Sequence, residues 1–185
     1  MMPKLPGIVV VALLLTACQQ MPILDENSEF SRIVPGSRIV LYQDLTVPTG
    51  HARVFLQNGR VMGLNSLNQY YPHCDFEVRD VSDGALQVHA GTFIVTRVTT
   101  GEAMVVQRKQ GFMRASFAPD GDQTVGMVSP YVHHQLHAEG QPELMRMTCH
   151  GGFAQQNVAI FPSVKDIRKA LGGIATVEVV RAAGR

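Results

Sequence analysis

The sequence predicts a mainly β fold, an antiparallel sandwich or small barrel with one C-terminal α-helix, and three observations carry that expectation. Short runs rich in branched and apolar residues recur at 38–42, 52–57, 74–81, 93–98, 103–107, 144–149 and 174–180, each of strand length. Turn residues stand between them: Pro48-Thr49-Gly50, Asn58-Gly59, Ser82-Asp83-Gly84 and Asp120-Gly121 supply either a preset φ or a positive one, and Asn58-Gly59 is the strongest hairpin signal. Finally, one stretch near the C-terminus carries helical spacing with a start and a stop signal.

Taken in order, the chain opens on an export signal. Lys4 gives a positive start, residues 8–15 form a short apolar run, and the small Ala17 precedes Cys18, the pattern of a secretory leader. The run is too short for a transmembrane helix, which needs about 20 apolar residues. Leu15-Thr16-Ala17-Cys18 resembles the lipobox of bacterial lipoproteins. That resemblance implies cleavage after residue 17, acylation of Cys18 and, because Gln19 rather than Asp follows, delivery to the outer membrane. Several acyl chains, at ~0.8 kcal/mol per buried methylene, would hold the protein stably where one chain would not.

Residues 18–35 are polar and mixed with no sustained period, so they read as a lipidated tether, with Phe30 and Ile33 placed to dock on the domain. Residues 36–185 then form one domain: the 168 residues left after cleavage suit a single core of ordinary size. Within it the longest stretch without a clear pattern is 118–142, expected to be a long loop. The helix is expected at 164–171: Ser163 is the N-cap, Asp166 stands at the capping-box position, Gly172 ends it, and Val164, Ile167 and Leu171 share a stripe.

Charge narrows the partners. The mature chain carries fifteen basic and fifteen acidic residues without a block of either sign, whereas nucleic acid and anionic lipid surfaces demand clustered Lys and Arg. Nucleic acid is therefore excluded as a partner, and the membrane is reached through the lipid.

With Cys18 committed to lipid, Cys74 and Cys149 remain as an even pair in an oxidising compartment, which points to a disulfide. Both fall on the apolar face of alternating runs, Cys74-Asp75-Phe76-Glu77-Val78 and Met145-Arg146-Met147-Thr148-Cys149. The mirrored neighbours His73-Cys74 and Cys149-His150 hint at thiol chemistry, but a reactive thiolate needs exposure and a depressed pKa, and no Cys-x-x-Cys is present.

The cluster with metal-ligand spacing is His133-His134-Gln135-Leu136-His137. On a helix His133 and His137 would share a face and offer two imidazoles to Zn or Cu, with His134 beside them. No hydrolase signature such as Gly-x-Ser-x-Gly occurs. A hydrolase assembled from dispersed residues would show as a concave pocket with converging polar groups. Phe55, Tyr70, Tyr71 and Phe153, like Met104, Met113, Met127, Met145 and Met147, are expected in the core, and Gly111 and Gly151-Gly152 at bulges or tight turns.

The segments Val47-Pro48-Thr49-Gly50-His51-Ala52-Arg53-Val54-Phe55-Leu56-Gln57 and Tyr71-Pro72-His73-Cys74-Asp75-Phe76-Glu77-Val78, with the lipobox, resemble uncharacterised proteobacterial envelope lipoproteins. The resemblance implies an envelope location and a paired cysteine, and carries no catalytic residues. The expectation is a lipoprotein at the periplasmic face of the outer membrane, lipid-anchored and serving as a non-enzymatic accessory or interaction module for an envelope protein. The alternative is a metal-binding protein using the His133, His134 and His137 cluster.

Overall fold

The computed structural model describes residues 28–105 and 126–180. The expected leader, Cys18, Gly111, Met113 and the turn expected at Asp120-Gly121 lie outside the described residues. Strands take up nearly half of those described, and the architecture is mainly β with one α-helix near the C-terminus.

The described residues form eleven strands: β1 (Arg38–Leu41), β2 (Leu45–Val47), β3 (Arg53–Gln57), β4 (Arg60–Met62), β5 (His73–Val78), β6 (Leu86–Val88), β7 (Gly91–Val105), β8 (Met127–His137), β9 (Leu144–His150), β10 (Ala154–Gln155) and β11 (Ala175–Glu178). The main sheet is antiparallel, curled, and ordered β11-β1-β7-β8-β9-β5-β3-β4, with β10 against β8; β2 and β6 make a separate ribbon. The Asn58-Gly59 turn joins β3 to β4 with both residues at positive φ, 51° and 71°, the geometry that a type I′ hairpin requires.

Two sequence expectations change. The run 93–98 and residues 103–105 of the next expected run are parts of one long strand, β7, bulged between Val95 and Arg97. The supposed loop over 118–142 contains β8, which pairs with β7 along its whole length. Its alternation is hard to read because His134 occupies an apolar-face position and Pro130 looks like a break, although the Pro130 carbonyl accepts from Gly151 N–H at 2.8 Å.

One face of the sheet makes the core. Ile39, Leu41, Val54, Leu56, Phe76, Phe93, Val95, Met147 and both domain cysteines are buried there. The helix α1 (Val164–Leu171) covers it, burying Val164, Ile167, Ala170 and Leu171; each large aliphatic side chain so removed from water contributes about 2 kcal/mol before entropy is counted. Its start is a capping box: Ser163 Oγ accepts from Asp166 N–H, and Asp166 Oδ2 accepts from Ser163 N–H at 3.0 Å. Of the two residues expected to dock, Ile33 enters this core while Phe30 stays exposed. Cys74 and Cys149 face each other across β5 and β9 and form a disulfide spanning 75 residues.

Candidate functional site

The sheet's other face is where the chemistry lies. In an ordinary two-layer domain the solvent face of a strand is exposed, yet every residue of β5 is buried on both sides. Since side chains alternate along a strand, Cys74, Phe76 and Val78 enter the core and His73, Asp75 and Glu77 point the opposite way. Cross-strand register brings the same face of the neighbours beside them: His150, Thr148 and Arg146 from β9, then Tyr131 and His133 from β8, with Arg53 and Phe55 from β3. The mirrored sequence pairs are resolved by this register. Cys74 and Cys149 bond on one face, and His73 and His150 stack on the other with ring centroids 4.7 Å apart and planes within 7°.

The charges form a network around Glu77 and Asp75. Glu77 Oε2 lies 2.7 Å from Arg146 Nε and 3.2 Å from Arg53 Nη2. Asp75 is treated differently. Its side chain is 0% exposed, its nearest charged partners are Arg53 Nε and His150 Nε2, each at 3.7 Å, and neither carboxylate oxygen has a hydrogen bond. A buried carboxylate without a hydrogen bond costs free energy, so stability does not account for its presence.

The imidazoles are individually held. His73 Nδ1–H donates to the Tyr71 carbonyl at 3.2 Å, His133 Nδ1 meets Thr148 Oγ1 at 2.8 Å, and His150 Nδ1 lies 3.4 Å from Ser129 Oγ. Burial, followed by the neighbouring His150, pushes His73 below the ordinary histidine pKa against the pull of the Tyr71 hydrogen bond and, less, of Asp75. Burial, with Arg146 next, does the same to His133. Both rings are thus biased towards the neutral form.

A cleft of about 490 Å³ opens over this face, within the range of small-molecule sites. Ser129, His150, His73, Arg53 and His51 give it polar lining, and Phe55, Leu64, Leu67 and Phe153 apolar lining. Phe153 meets Tyr70 edge to face at 6.1 Å. Phe55 and Phe153 therefore line a pocket where the sequence suggested core filling, Tyr70 and Tyr71 are exposed, and Met104 is 76% exposed. Gly151 and Gly152 serve close packing: a Cβ on Gly151 would run into the Ile160 carbonyl and one on Gly152 into the Tyr70 carbonyl. A second hollow of about 470 Å³ lies at the β8–β9 turn, where Arg79 is engaged with the Pro142 carbonyl.

The three histidines singled out by spacing do not converge. Their segment is a strand, which at ~3.3 Å per residue separates His133 from His137 by roughly 13 Å. His134 points to the core, 1% exposed, with Nδ1–H donating to the Met147 carbonyl at 3.3 Å, while His137 is exposed at the strand end. Among the described residues no group of three or more His, Cys, Asp or Glu is arranged to hold a metal ion.

His133 instead joins His73, His150 and Asp75. That grouping depends on the β8–β9–β5 register and had one visible trace in the sequence, the alternation of His73, Asp75 and Glu77 with apolar residues, ordinarily the mark of a solvated face. Compared with family models, curated proteins and solved structures, the chain finds no match.

Proposed function

We propose that the protein is an envelope lipoprotein, held at the periplasmic face of the outer membrane by acyl chains on Cys18, that works as a binding module through the cleft over β3, β5, β9 and β8. The observation that carries the cleft's role is Asp75, a wholly buried carboxylate with no hydrogen bond, set among histidines beneath a cavity. Groups kept at a cost to stability cluster at functional sites.

The lipobox supports the location and the lipid attachment; no helix among the described residues is long and apolar enough to cross a membrane. Anchoring raises the domain's effective concentration for ligands and envelope proteins near that surface. The apolar lining would supply affinity and the polar groups orientation.

The test has two parts. Cys18→Ser should release the protein from membranes, and the intact mass of wild type should carry the acyl chains. Phe153→Asp, placed on the cleft wall, should remove an envelope partner or ligand that wild type retains in pull-down from whole envelopes. A mutant that stays membrane-bound refutes the anchor, and unchanged retention refutes the cleft.

A further inference from the structure

Ser129 and His150 line the cleft, and with the wholly buried Asp75 they stand in an order with chemical meaning. Ser129 Oγ is 3.4 Å from His150 Nδ1, and the far nitrogen of the same ring, Nε2, is 3.7 Å from Asp75 Oδ2. They come from three adjacent strands, β8, β9 and β5, so their spacing is fixed by sheet register rather than by a loop. We propose that Ser129, His150 and Asp75 form an acyl-transfer centre, with Ser129 the nucleophile towards an ester or amide whose apolar part lies against Phe55, Leu64 and Phe153.

The roles follow from the ring. For Nδ1 to accept the serine proton, the imidazole must carry its own proton on Nε2, and Nε2 is the nitrogen that faces the Asp75 carboxylate, an acceptor with no competing hydrogen bond. Asp75 thereby selects the tautomer and would stabilise the imidazolium formed during attack, the part a carboxylate plays in such triads. The parallel His73 ring limits rotation of His150. Hydrogen bonds of this kind are often long without substrate and tighten when it binds. Ser129 pairs with the small Ala103 of β7, and both line the cleft.

The step balances with water as the sole co-reactant. Ser129 Oγ bonds to the carbonyl carbon as its proton passes to His150 Nδ1, and the carbonyl electron pair moves to oxygen. Collapse breaks the bond to the leaving alcohol or amine, which takes that proton. Water then attacks the acyl-serine, giving its proton to Nδ1. The acid departs and Ser129 recovers the proton.

This inference goes beyond ligand binding, and the two fail separately. The mature, disulfide-bonded protein is treated with a fluorophosphonate probe and, in parallel, with p-nitrophenyl butyrate. The expected result is one phosphonyl adduct, mapped to Ser129 by peptide mass spectrometry, and ester turnover that falls by about 100-fold or more in Ser129→Ala and His150→Gln. Asp75→Asn should lower the labelling rate while the circular dichroism spectrum is kept. If Ser129→Ala does not fold, Ser129→Cys should be alkylated by iodoacetamide faster than the same variant carrying His150→Gln. No adduct on wild type under conditions that label a control serine hydrolase, an adduct elsewhere, or turnover unchanged in Ser129→Ala would overturn the proposal; in those cases retention by the cleft in pull-down would still stand or fall alone.

Discussion

His134 shows what one residue does when an apolar position is filled by a titratable ring. It sits among core side chains, its Nδ1–H is used by Met147, and Nε2 is left as a buried acceptor without a partner. Burial is the main cause that lowers its pKa to about 4, with His133 adding to the effect and the Met147 hydrogen bond opposing it. The folded pKa is below the unfolded one, so between pH 6.5 and 4 the unfolded chain binds more protons. Stability is therefore intact above about pH 6.5 and is lost as the pH falls through this window, by on the order of 3 kcal/mol from this ring. His73 and His133 are shifted the same way and add to the loss. We expect His134→Leu, similar in volume and free of the orphan acceptor, to flatten the dependence; urea unfolding at pH 7 and pH 5 checks this, and an equally steep loss in the variant would contradict it.

Among the elements, the contact between the β3–β4 hairpin and the end of α1 is the most demanding. Gly172 ends the helix at φ +57°, and its Cα side packs against Gly59, so a Cβ there would collide with backbone that cannot yield. The same junction is tied by the Gly59 N–H donating to the Ala170 carbonyl at 2.9 Å. Gly172→Ala should thus lower stability by about 2 kcal/mol through strain and a displaced hairpin, read as a lower denaturant midpoint with an unchanged slope.

Elements governed by local rules were legible: the capping box at Ser163 and Asp166, the stop at Gly172 and the Asn58-Gly59 turn all form as their chemistry dictates. β8 was hidden because its core-facing His134 and its Pro130 break the expected alternation, and β2, β4 and β6 because three residues each are too few to show a period. The site was largely illegible. Asp75, His150 and Ser129 are far apart in the chain, and only the pairing of β5, β9 and β8 brings them together.

For the whole molecule, two opposing tendencies meet in β5. On one side its disulfide to β9 ties a 75-residue loop, which by loop-closure entropy stabilises the fold by about 4 kcal/mol, with less found in many proteins. Replacing Cys74 and Cys149 together by Ala should lower the denaturation temperature, and treatment with a reductant should bring wild type towards the same value. On the other side the strand buries Asp75 and Glu77 beneath a cleft, an arrangement that weakens a domain unless the charges are used.

That second side is the centre of the account, and thermal unfolding of Asp75→Asn beside wild type at pH 7 tests it most directly. Arg53 keeps its closer partner Glu77 at 3.2 Å in the variant, and Asn removes a buried charge that makes no hydrogen bond. Asp75→Asn is expected to unfold at an equal or higher temperature than wild type and to lose the activity of the cleft. A clear drop in unfolding temperature would contradict this, by making Asp75 a structural ion-pair partner rather than a group retained for function.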